Sequence, residues 1–118
     1  MECNRNLIAV RVPGAYELPV VVKRLAGSAQ VDAVVALGAV VQGATPHASL
    51  INETTARAFS QISIDTGVPV VDGVVSAESL EQAIERCGTK QGNKGFSAMQ
   101  AAIETVNVLK GLKKQKAR

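Results

Sequence analysis

His47 is the one imidazole in the chain, and it stands directly after Gly43-Ala44-Thr45-Pro46. A glycine at that point lets backbone approach a ligand closely. Ala44 and Thr45 lie just ahead of an expected helix start, where unpaired N–H groups and the positive end of the helix dipole attract an anion such as phosphate. An imidazole beside such a pocket can carry protons near neutral pH. Plainer explanations stand beside these: Thr45 can simply cap the helix, and a lone histidine can be structural. Arg86, Lys90 and Lys94 form a spaced cationic series among glycines. The series suits a phosphate clamp, with Arg giving a bidentate contact and Lys a point charge, and it equally suits a solvated helix end. Glu17, just after Pro13-Gly14-Ala15-Tyr16, can accept hydrogen bonds from substrate hydroxyls or complement the dipole of the helix it opens. One histidine excludes a multi-histidine metal site. Cys3 and Cys87 form neither a CxxC nor a metal-ligand pattern, which reads as two ordinary thiols in a reducing compartment.

The elements that must position these groups are three short apolar runs alternating with helical patterns. Residues 7–12 read as a strand stopped by Pro13-Gly14, followed by a helix over 15–25 with Pro19 in its first turn. Residues 33–41 are apolar on both faces, as in a parallel sheet covered by helices on both sides. A loop over 42–46 leads into a helix over 47–66, closed by Gly67. A third strand opens at 68–71. Ser76 is the expected N-cap of a helix over 77–87, with Gly88 after it. Residues 89–95 read as a polar, glycine-punctuated loop, and a last helix spans 96–112. The order βαβαβαα implies an open α/β sheet with right-handed crossovers. Such sheets bind ligands outside the carboxyl ends of their strands. Those ends are expected at residues 13–17, 42–47 and 72–74, all on one rim.

With 118 residues there is room for a single domain and one core. The apolar fraction of 47% argues against disorder, and the scarcity of aromatics fits β-branched strands packed on alanine-containing helices. No apolar run reaches a membrane span of roughly 18 residues, and the first residues lack the apolar stretch of a signal peptide. A cytoplasmic protein is expected. The formal charge of +3 is concentrated at one end: Lys110, Lys113, Lys114, Lys116 and Arg118 leave a slightly acidic body once set aside. Residues 113–118 therefore read as a basic tail completing a helix dipole. Nucleic-acid binding is disfavoured, because no aromatic is interleaved to stack a base.

Several segments together resemble the lumazine synthase family. They are Val10-Arg11-Val12-Pro13-Gly14-Ala15-Tyr16-Glu17-Leu18-Pro19, Asp32-Ala33-Val34-Val35-Ala36-Leu37-Gly38, Gly43-Ala44-Thr45-Pro46-His47, and Glu81 through Lys90 continuing into Gly92-Asn93-Lys94-Gly95. The likeness runs from about Leu7 to Leu112. It implies a three-layer, flavodoxin-like open parallel sheet. The implied reaction belongs to riboflavin biosynthesis: 5-amino-6-ribitylaminouracil condenses with 3,4-dihydroxy-2-butanone 4-phosphate, losing phosphate and water to give 6,7-dimethyl-8-ribityllumazine. No metal or organic cofactor is implied. A homopentamer is implied, twelve of which close into an icosahedral shell in some members, with sites between subunits. Carried over by position, Ala15, Tyr16 and Glu17 hold the ribitylaminopyrimidine, and Ala39, Val40 and Val41 line its pocket through backbone groups. Ala44 and Thr45 bind the phosphate, with Arg86 of an adjoining subunit and Lys94 as counter-charges. His47 is the proton shuttle.

The chain departs from the family pattern in three places. Six residues precede the strand at Leu7, where the family has a whole strand–helix unit. Asp72 stands in the substrate pocket where the family carries an aromatic that covers the heterocycle. Gln42 replaces a frequent Arg, and Ala48-Ser49 replace an aromatic–acid pair. These departures keep a second expectation open: an inactive structural subunit of a ring or shell. A third, a cargo binder recruiting nucleic acid through the basic tail, predicts affinity that falls steeply with salt.

Overall fold

The computed structural model describes residues 1–3, 6–42, 47–88 and 92–115. Two strands form the centre: β3 (Val34–Val41) and β4 (Val70–Ala77), parallel and paired from Val34 opposite Val70 to Val41 opposite Ala77. Helix α2 (His47–Thr66) connects them. Helix α1 (Leu18–Ala26) precedes β3, while α3 (Leu80–Gly88) and α4 (Lys94–Lys114) follow β4. Helices α1 and α2 pack together on one face of the sheet, and α3 and α4 on the other. This is the expected three-layer α/β arrangement.

The two faces are built differently. On the α1/α2 side, Val22, Ala26, Val34, Ala36, Phe59 and Ile62 form the core, with Leu18, Leu25, Val68, Val70 and Val74 packed around them. Thr55 is buried there too, and its hydroxyl donates to the Ile51 carbonyl at 2.9 Å, so no polar atom is stranded. On the α3/α4 side the buried residues are small: Val75, Ala77, Ala83, Ala98 and Ala102. Small residues let α4 approach the sheet closely, and Gly73 marks the tightest point. A Cβ on Gly73 would meet the Leu37 Cδ2 at 2.7 Å, the Ala36 carbonyl at 2.9 Å and the Ala98 Cβ at 3.2 Å. Gly73→Ala is therefore expected to destabilise the chain by about 1–3 kcal/mol, the usual cost of overpacking. A lowered urea midpoint would show it; an unchanged midpoint would mean that α4 can lift without penalty.

Most helix limits follow from local chemistry. Pro19 occupies the first turn of α1, where a missing N–H costs nothing. Gly67 ends α2 in a left-handed conformation (φ 73°), its N–H donating to the Ser63 carbonyl at 2.9 Å. Asn93 caps α4 by accepting the Phe96 N–H at 3.0 Å. Lys113 and Lys114 sit in the last turn of α4, as a dipole-completing basic end should.

Three expectations are corrected. The strand over 7–12 contracts to β2 (Ile8–Ala9), which pairs antiparallel with β1 (Glu2–Cys3) rather than with the parallel sheet. Extended backbone bonds to the extended backbone alongside it, and here that is Glu2–Cys3. The strand opening at 68–71 instead runs from Val70 to Ala77, so residues 72–74 are not its carboxyl end. The helix expected from 77 starts at Leu80, and its cap is Ser79, not Ser76. The Ser79 hydroxyl accepts the Gln82 N–H at 3.1 Å, while the Gln82 side-chain oxygen accepts the Glu78 N–H at 2.8 Å. Inside the polar loop, Gly92–Asn93 forms the short β5, with Asn93 bridged to Cys87.

Candidate active site at the carboxyl ends of β3 and β4

The strands β3 and β4 end side by side, and the Gln42 N–H donates to the Ala77 carbonyl at 2.7 Å. The rim is thus formed by Gln42, Ser76 and Ala77. Helix α2 opens on His47, whose side chain is exposed. Its imidazole is open to a ligand rather than sealed in the core. Gly43, Ala44, Thr45 and Pro46, the expected phosphate turn, lie outside the described residues, as does Lys90.

Arg86 and Lys94 are brought together. Both line an open groove of about 350 Å³ with Val74, Val75, Ser76, Asn93 and Ser97. Arg86 comes from the last turn of α3, and Lys94 is the first residue of α4. The groove therefore combines two cationic side chains with the positive end of a long helix, an arrangement suited to a phosphate ester. Arg86 Nη1 also donates to the Ser76 carbonyl.

Ala15, Tyr16 and Glu17 form a 3-10 turn that packs against α2 and β3. Tyr16 is exposed, and Glu17 occupies the cap position of α1 without making a side-chain cap bond. Its carboxylate lies over Gly14, where a Cβ would stand 3.0 Å from Glu17 Oε2. At the end of β3, even-numbered residues direct their backbone toward β4, as the Val34 N–H to Pro69 carbonyl bond (2.8 Å) and the Gln42 bond fix. Ala39 and Val41 therefore turn their N–H and C=O groups to the opposite edge, where no described strand pairs with them. The backbone of Val40 faces β4 instead, and its side chain is buried.

Asp72 sits apart from this rim, in the first half of β4 opposite Ala36. Its Oδ1 accepts the Val74 N–H at 3.0 Å. It belongs to a series along the outer edge of β4 that sequence reasoning missed: Ser63 Oγ accepts the Val70 N–H at 2.8 Å, Asp72 takes that of Val74, and Arg86 donates to the carbonyl of Ser76. Side chains thus close an edge that would otherwise offer ladder hydrogen bonds to another strand. Only Asp72 belongs to the strand itself; Ser63 comes from α2 and Arg86 from α3, so no spacing in the sequence links the three.

Comparison with known proteins matches this chain to a family. The family described as 6,7-dimethyl-8-ribityllumazine synthase matches residues 2–110. A 6,7-dimethyl-8-ribityllumazine synthase from Desulfotalea psychrophila (strain LSv54 / DSM 12343) is 52% identical over 109 residues, covering 92% of this chain and 70% of that protein. An identity of that level over nearly the whole chain, on a helix–sheet–helix fold with an anion-suited groove, leaves one assignment. The chain belongs to the 6,7-dimethyl-8-ribityllumazine synthase family.

Proposed function

We propose that the lumazine synthase reaction of this chain, a step of riboflavin biosynthesis, runs between subunits, where the start of α2 of one meets the start of α4 and the end of β4 of the next. His47 moves protons during imine formation between the aminopyrimidine and the butanone, and again as phosphate departs. The amides of Ala44 and Thr45 hold that phosphate, with Arg86 of an adjoining subunit as its counter-charge and Lys94 beside it. Glu17 takes the ribityl hydroxyls, beside Ala15 and Tyr16, and the free backbone edge at Ala39 and Val41 reads the pyrimidine, with Val40 between them. Asp72 stands where the resemblance implies a cover over the heterocycle across the subunit interface. The observation that carries this reading is the shared groove of Arg86 and Lys94 at the start of α4. Arg86→Ala is expected to weaken inorganic phosphate binding about 10–100-fold, the worth of a charge-assisted pair of hydrogen bonds. Titration calorimetry showing unchanged affinity would remove Arg86 from the site.

A homo-oligomer, with a pentamer as the family resemblance implies, is part of the same proposal. Phe96, Met99 and Ile103 recur along α4 and are 65%, 44% and 56% exposed. Such an apolar stripe on a small chain favours cover by a second subunit. Light scattering should give a mass several times that of one chain; a stable monomer would contradict this. Among the described residues no helix is long and apolar enough to cross a membrane, and a cytoplasmic site of action fits two polar substrates.

A further inference from the structure

We propose that the Ser97 hydroxyl is a further ligand for the substrate's phosphate, in the groove of Arg86 and Lys94. This rests on the anion reading given above and adds a neutral donor to its two cations. The polar side chains lining the groove are those of Ser76, Arg86, Asn93, Lys94 and Ser97, with no carboxylate among the described ones. Ser76 and Asn93 are already engaged. Ser76 Oγ accepts from Asn52 Nδ2 at 2.7 Å, and the Ser76 carbonyl accepts from Arg86 Nη1. Asn93 Oδ1 caps α4 at the Phe96 N–H. The Ser97 hydroxyl is held more loosely: it donates to the Asn93 carbonyl one turn back, at 3.2 Å. Bonds of that kind elsewhere in the chain are tighter, 2.7 Å from Thr66 to Ile62 and 2.7 Å from Thr105 to Ala101.

Helix α4 does not need a hydroxyl at this point. Asn93 already caps it, Ser97 is exposed and fills no core space, and a serine bonding back onto its own helix is neutral to unfavourable there. Lys94 and Ser97 are three residues apart in the first turns of α4, so they share one face of it. A hydroxyl hydrogen turns freely to suit its acceptor. It can therefore leave a long bond to a neutral carbonyl for a shorter one to a charged phosphate oxygen, which is the stronger of the two. The Asn93 carbonyl is not stranded by the exchange, because the carbonyl of a cap residue also accepts the first bond of the helix ladder. An ammonium attracts an anion as a point charge. The hydroxyl adds direction, fixing how the phosphate sits against Lys94. The effect falls on the phosphorylated substrate alone, because the groove holds no group assigned to the pyrimidine.

The test uses the full chain, with inorganic phosphate as the titrated anion and KM measured separately for each substrate. Ser97→Ala should raise the phosphate Kd and the KM of the four-carbon phosphate about three- to tenfold, as expected for one lost hydrogen bond. The KM of the pyrimidine should stay near wild type. The melting temperature should hold or rise, since alanine is the better helix residue. Ser97→Thr restores the hydroxyl and should recover most of the phosphate affinity. Equal losses for both substrates would make Ser97 a structural residue and overturn the proposal. A Ser97→Thr variant as weak as Ser97→Ala would do the same, since the hydroxyl would then not be the group that binds. If Arg86→Ala weakens phosphate binding while Ser97→Ala does not, the role of Ser97 falls and the anion site stands. If neither variant changes phosphate affinity, the anion reading falls and this inference with it.

Discussion

His47→Ala is expected to lower kcat for lumazine formation by about 10²–10⁴, the usual worth of a positioned general acid–base group. The imidazole is exposed at the first residue of α2 and closes no part of the core. Alanine is a good helix residue, so the melting temperature should hold while turnover falls. The loss should appear in kcat rather than in KM, because the proposal assigns the phosphate and the pyrimidine to other residues. The rate without protein is subtracted at each substrate concentration. Unchanged turnover after that subtraction would take the proton-shuttle role from His47.

Phe59→Ala is expected to cost about 3–5 kcal/mol of stability. Phe59 is 1% exposed, on α2 among Val22, Ala26, Val34, Ala36 and Ile62. Two of those neighbours are alanines, which cannot swing into the space a ring leaves, so a cavity remains and dispersion contacts are lost outright. Domains of this size are stable by only about 5–15 kcal/mol, so the variant should lose a large share of its stability. Equilibrium unfolding in urea measures this. A loss below about 1 kcal/mol would mean that α2 does not rest on the sheet through this ring.

The legible parts of the sequence were those marked by strong local chemistry. Helix α2 was read to its limits, because Pro46 and Gly67 bracket it and its apolar positions keep a helical period. From the sequence, strand β4 looks shorter than it is, because Asp72-Gly73 is a turn dipeptide in most contexts. Here the strand continues through it: Asp72 bonds to Val74 two residues on, and Gly73 gives Leu37 and Ala98 the room that close packing requires. Ser76 reads as a cap because a serine ahead of an apolar helix usually is one. The spacing Ser79 to Gln82 was the better signal, a hydroxyl followed three residues later by a side-chain amide. The proposed anion site rests on residue types that the sequence shows directly: cations, an imidazole and a glycine turn. The link from Asn52 to Ser76 could not be read there, because it joins residues 24 apart through a pairing that only the fold creates.

The most direct measurement is a time course that follows lumazine fluorescence and inorganic phosphate in one reaction of the purified chain with both substrates. Both products should appear in equal amounts, well above the unaided rate, saturating with each substrate. Rates that match the blank would show a folded chain that does not catalyse, and the roles given to His47, Arg86 and Lys94 would fall together.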